Sequence, residues 1–176
     1  MFKAMEVSEL QNENRQGVLS SHKYEVECVR NGEVVWKEEF ENLVPTAGLN
    51  KYLQFTLVSG LASPAWYVGL KSNGVPDAGD TMASHGTWTE LTSYSQSTRP
   101  AFTPGAVAAG SVDNSASKAS FSITGSMTVS GAFMSDNNGK GTDSGTLLGV
   151  GDFTTGRAVE NGDTLNVQVT ATMAAA

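Results

Sequence analysis

Cysteine is almost missing: Cys28 is the single one in 176 residues. No disulfide can form within the chain, and in its strand-like stretch the thiol reads as a small buried apolar group. Charge is scarce too, at 16% of residues, against roughly 25% in ordinary domains. Solvent-facing helices draw on Glu, Lys and Arg, so surface polarity must come largely from Ser, Thr, Asn and Gly, which favours strands and turns. No apolar run approaches the roughly 18 residues of a membrane span. The opening "MFKAMEVSELQNENRQG" has no apolar core and carries acids, so it is not read as a secretory signal, and synthesis in a cytoplasm is expected. Basic residues number 11 against 18 acidic ones, for a net charge of −7, and they are scattered. Gripping a polyphosphate takes clustered Lys and Arg, so direct nucleic-acid binding is not expected.

The residues of enzymatic chemistry are equally sparse. Histidine occurs twice, as His22 and His85, far apart in the chain. Ser84 adjoins His85, but neighbours along a strand point to opposite sides, so the pair is no nucleophile and base. No catalytic residue and no enzymatic activity are expected, and His85 reads as part of a loop hydrogen-bond network. "SDNNGKGTDSG" offers Asp136, Asn138 and Asp143. It lacks the terminal bidentate Glu and the alternate ligand spacing of a calcium loop, so it reads as a solvated turn, with no metal and no cofactor. Gly-Asp-Thr occurs at 79–81 and again at 162–164. Asp and Thr side chains satisfy backbone donors at turns leading into strands, which makes both copies structural.

What the chain does have is alternation. In "SKASFSITGSMTVSGAF" the odd positions from Ala119 to Phe133 are apolar or glycine, while the even ones carry Ser, Thr and Lys118. Common strand lengths favour a hairpin turning at Gly125 over one very long strand. The hydroxyl face reads as solvent-facing, with a flat contact against another sheet or subunit as the other reading. Leu165, Val167, Val169, Ala171 and Met173 alternate with polar residues in the same way. Between His22 and Phe40 both halves carry their apolar residues at even positions. A three-residue loop, Arg30-Asn31-Gly32, keeps those faces together, pairing Val26 with Trp36 and Cys28 with Val34. "PTAGLNKYLQFTLVSG" predicts the one helix, capped by Thr46 and ended by Gly60, with Leu49, Tyr52, Leu53 and Leu57 on one face. "AWYVGL" predicts a central strand, with Trp66 and Tyr67 packed in the core. A long segment rich in Pro and Gly follows, from Lys71 to Gly110. Loops of that length usually serve function, and Trp88 and Tyr94 within it are expected to form a contact surface. The fold expected is mainly β: an antiparallel, jelly-roll-like β-sandwich over 22–176 with one short α-helix. Residues 1–21 are expected to form an extended N-terminal arm.

The blocks "NLVPTAGLNKYL", "AWYVGL", "GDTMASHGTWTE", "RPAFTPG", "SVDNSASKASFSI", "GAFM" and "GDTLNV" follow one another in this order. Over roughly residues 42–173 the chain resembles a family of small virion structural proteins of tailed bacteriophages and prophages. Some members look like head decoration, or cement, proteins. The resemblance implies a β-rich fold and a virion location, and it carries no catalytic residue. On this reading the protein sits on the outer capsid surface as a homo-oligomer, dimer or trimer, and binds the major capsid protein. It would stabilise the head by bridging neighbouring capsid subunits, through contacts of roughly 1,600 Å² each. Phe2, Met5, Val7 and Leu10 of the arm are then its capsid contacts, an arm ordering on binding. The alternative is a tail-associated structural or receptor-binding module, with saccharide as the ligand of the latter.

Overall fold

The computed structural model describes residues 17–175. The described residues form a mainly β fold of two antiparallel sheets with one α-helix. The arm residues Phe2, Met5, Val7 and Leu10 lie outside the described part. The boundary expected after residue 21 moves, because β1 (Val18–Arg30) starts at Val18. β1 pairs along its length with β10 (Thr164–Ala175), from Val18 opposite Ala175 to Val29 opposite Thr164. The alternation foreseen in β10 holds for Leu165, Val167 and Val169, which are buried, whereas Ala171 is half-buried and Met173 exposed. On its other side β1 pairs with β2 (Glu33–Glu41), and beyond β10 lie β6 (Ser111–Asp113) and β7 (Ala119–Ser122). The second sheet is centred on β3 (Trp66–Lys71) and β8 (Met127–Ser135). β9 (Leu147–Val159) closes one margin, and β4 (Glu90–Leu91) and β5 (Ala101–Phe102) share the other. From the sequence, "GTLLGVGDF" at 145–153 reads as a short strand. β9 instead runs on to Val159, because its lower half pairs with Met127–Val129 of β8. β2 and β9 lie alongside each other, curling the sandwich toward a half-barrel.

The β1–β2 turn corrects the expected register. It is the two-residue Asn31-Gly32 turn, with φ of +52° and +84° and Arg30 opposite Glu33. Both residues are left-handed, which matches the twist of the flanking strands and suits Asn-Gly. Parity is restored one step later, where Val29 faces Val34 but Cys28 faces Trp36. Val35 is thus a bulge residue. Tyr24, Val26, Cys28, Trp36 and Phe40 keep their common face, and Val34 is turned out to solvent. A bulge does the work expected of the longer loop.

The stretch from 117 to 133 is not a hairpin. β7 belongs to the first sheet and β8 to the second, and the chain crosses between them at 123–126. Ala119, Phe121, Ile123 and Val129 all look into the same interior because both sheets face it. The odd rhythm then breaks. A register shift between Val129 and Gly131 sends Ala132 and Met134 to the main core and turns Phe133 to the opposite face, in a second cluster with Met82, Trp88, Leu147 and Val150. β8 is therefore buried on both faces. Of the expected hydroxyl face, Ser122, Thr124, Ser126 and Thr128 meet solvent, but Ser130 at the bulge is buried.

Helix α1 (Thr46–Leu57) forms where expected, but Pro45 occupies the N-cap and Thr46 makes no capping bond. Its orientation is the larger correction. Gly48 is the residue pressed on β9: a Cβ there would lie 2.3 Å from the carbonyl oxygen of Leu148. With Gly48 and Tyr52 turned inward, the leucine stripe one position further round faces out.

Candidate functional site

Trp88 and Tyr94 do not form an accessible surface, for each is only 2% exposed. The long segment 71–110 folds onto the outer face of the second sheet, where Trp88 joins a small second core, while Tyr94 packs into the main one. The Trp88 indole N–H donates to Asp80 Oδ2 at 2.9 Å. His85 stacks on the Trp88 ring at 4.0 Å and donates from Nδ1 to the Trp88 carbonyl at 2.9 Å, the loop-network role expected of it. Lys71, wholly buried, binds the Gly74 carbonyl at 2.8 Å and the Asp152 carboxylate. Burial holds its ammonium pKa below the usual range, with Asp152 opposing that shift. Tyr94 packs edge-on against Phe121, and Lys140 sits 4.4 Å from the centre of its ring.

Arg99 joins this layer to the loop 136–146. Its guanidinium makes a bidentate pair with Glu90, at 2.9 and 2.7 Å, and donates to the carbonyls of Asn137 and Thr142 at 2.8 Å each. Lys140 donates back to the carbonyls of Tyr94 and Gln96, at 2.9 and 2.7 Å. In the same loop, Asp136 accepts the Thr146 N–H at 2.6 Å and pairs with Lys51 at 3.1 Å. Of the side chains first considered as cation ligands, Asp136 is tied into the frame, while Asn138 and Asp143 are exposed. Among the described residues no three His, Cys, Asp or Glu come together. The two Gly-Asp-Thr copies share one geometry. Asp80 Oδ2 accepts the N–H of Asp77 at 3.0 Å, and Asp163 Oδ2 that of Glu160 at 2.8 Å. Asp163 is further clamped by Arg30, at 2.7 and 2.8 Å. Beside it Cys28 is buried, and burial first, then the Asp163 carboxylate, pushes its thiol up to about 12, so it is no nucleophile at neutral pH.

His22 was not singled out for this role, although its even position already set it on the inner face of β1. Asn42 Oδ1 accepts the His22 backbone N–H at 2.9 Å, which turns Asn42 Nδ2 to the ring Nδ1 at 2.8 Å. An amide nitrogen only donates, so the ring proton sits on Nε2 and goes to the Tyr52 hydroxyl at 2.5 Å. This chain of bonds ties α1 to β1. Burial lowers the imidazole pKa from 6.5 to about 4. The neutral ring is favoured in the folded state, so this contribution is complete above pH 6.5 and is lost as pH falls toward 4, by about 3 kcal/mol in all. Asp163, held down to about 2 chiefly by Arg30, loses its contribution only below its ordinary range, outside that window. Urea denaturation at about pH 7 and about pH 4.5 reads the effect. In His22→Asn most of the fall across this window is expected to vanish, and an unchanged pH slope in that variant would refute the assignment. The remainder comes from Glu27, whose carboxyl is held, against burial, below its usual range by Lys37 and Lys118.

With the polar groups committed internally, the surface that stands out is α1 itself. Leu49, Leu53 and Leu57 recur every fourth residue along its outer side, with Leu53 55% and Leu57 77% exposed. Val58 and Leu61 continue the patch, also exposed. From Leu43 to Ala65 the only charged residue is Lys51, and that one is turned to Asp136 and the Phe55 ring. An apolar, uncharged helix face open to water marks a place of contact with another macromolecule. No helix among the described residues is long and apolar enough to cross a membrane. Neither protein-family models nor curated proteins give a match to this chain.

Proposed function

We propose that this protein is a structural component of a tailed-phage virion, a head decoration protein that works by surface contact. The observation that carries this reading is the uncharged leucine face of α1, presented on a sandwich whose reactive side chains are bound up in its own frame. The likeness of residues 42–173 to phage virion proteins supplies the setting. On the outer capsid surface the net charge of −7 keeps the chain from competing for packaged DNA. The major capsid protein is the partner, and Phe2, Met5, Val7 and Leu10 are its contacts. For the alternative saccharide-binding module, Trp88 offers no ring to stack a sugar on, since it is interior.

Copy number tests the reading. Quantified in purified particles, a decoration protein is present in hundreds of copies, whereas a few or tens would assign it to the tail. Deleting residues 1–16 leaves all of β1 in place. The shortened protein is expected to keep its circular dichroism spectrum and to stop sedimenting with heads; undiminished occupancy would refute the arm's role.

A further inference from the structure

We propose that the leucine face of α1 is the contact between two copies of this chain, packed helix to helix across a twofold axis. The inference rests on the reading of α1 as a protein-contact surface and names its occupant. Charge is the first argument. Two chains of net charge −7 repel one another wherever charged faces approach. The segment 43–65, with Lys51 as its single charge, is a face on which they can meet without that cost.

Geometry is the second argument. Leu49, Leu53 and Leu57 form one ridge at four-residue spacing, and such a ridge fits the groove beside the same ridge on another helix, at a crossing of about −50°. One patch that complements itself is what a twofold contact requires, because each residue meets its own equivalent region. Area is the third. Leu49, Leu53, Leu57, Val58 and Leu61 together expose on the order of 500 Å², the upper range for a free monomer, and pairing two such faces buries about 1,000 Å², the lower bound for a specific interface. A dimer explains how a small decoration protein bridges. Two copies joined through α1 carry two capsid-binding surfaces, so binding of the second becomes an intramolecular event.

Sedimentation equilibrium of the full chain, with no heads present, tests this. The expected mass is twice 18.4 kDa. Leu53→Glu/Leu57→Glu is expected to weaken self-association at least about 100-fold with unchanged circular dichroism, since both side chains are exposed on the folded monomer. Mixing it with Leu53→Lys/Leu57→Lys is expected to restore the doubled mass. A wild-type protein of single mass overturns the proposal, as does a doubled mass that survives in the Glu variant. A single mass with head binding lost in the Glu variant would assign the face to the capsid protein. A single mass with hydrophobic-dye binding that rises on deleting residues 1–16 would assign it to the chain's own N-terminal segment. Either result overturns the dimer. A dimer that fails to bind heads would instead sink the decoration reading and leave this one standing.

Discussion

Arg99→Met is expected to cost about 3–5 kcal/mol of folding stability, the range for breaking a buried ion pair from one side. The Arg99 side chain is 0% exposed and that of Glu90 7%. Removing the guanidinium leaves the Glu90 carboxylate with only the Gly141 N–H, 2.8 Å away. It also takes a donor from the carbonyls of Asn137 and Thr142. Methionine preserves much of the apolar volume over the Phe133 ring, to which Arg99 lies at 5.2 Å, so the loss reports the polar network and not a cavity. Arg99→Met/Glu90→Met should recover part of it, because a buried pair replaced by apolar groups of similar size is often neutral. Urea denaturation measures both variants. A loss below about 1 kcal/mol for Arg99→Met would mean that water already reaches this pair.

Phe133→Ala is expected to cost a further order of about 3–5 kcal/mol, through the cavity it leaves among Met82, Trp88, Leu147 and Val150. The ring has a specific seat. Phe133 stands directly opposite Gly69 and lies across it, so that a Cβ at Gly69 would fall 2.2 Å from the ring's edge. Gly69→Ala should therefore destabilise the wild type by about 1–3 kcal/mol by overpacking. In the Phe133→Ala background the same methyl enters the space vacated, and its effect should change sign. A double-mutant cycle reads the coupling directly. Additive losses would show that the ring can swing away from Gly69 at no cost, and that its packing is not what holds the outer layer.

Much of this architecture was legible before any coordinates. Alternation at Leu165, Val167 and Val169 located β10 and its inner face, and the even positions of Tyr24, Val26 and Cys28 located those of β1. The bulges at Val35 and Ser130 were not legible, because an extra residue in one strand is settled by what the opposing strand offers, and that strand is distant in sequence. The crossing between β7 and β8 escaped for a related reason: an odd rhythm records which face is buried but not which sheet buries it. In the long segment, glycines and prolines pointed to a contact loop. Yet Lys71, Glu90 and Arg99, charged residues beside aromatic ones, were a sign that this segment needs internal partners to cover a sheet.

The site divides along the same line. Leu49, Leu53 and Leu57 announced an apolar helix face through their spacing alone, since side-chain direction along a backbone is local stereochemistry. Whether that face met the protein's own core depended on Gly48, which lets β9 approach from the neighbouring side, and on the His22–Tyr52 bond that holds the helix there. Burial free energy has no direction of its own; it follows whichever surface folding brings near, and here the sheet took the glycine face and left the leucines to water.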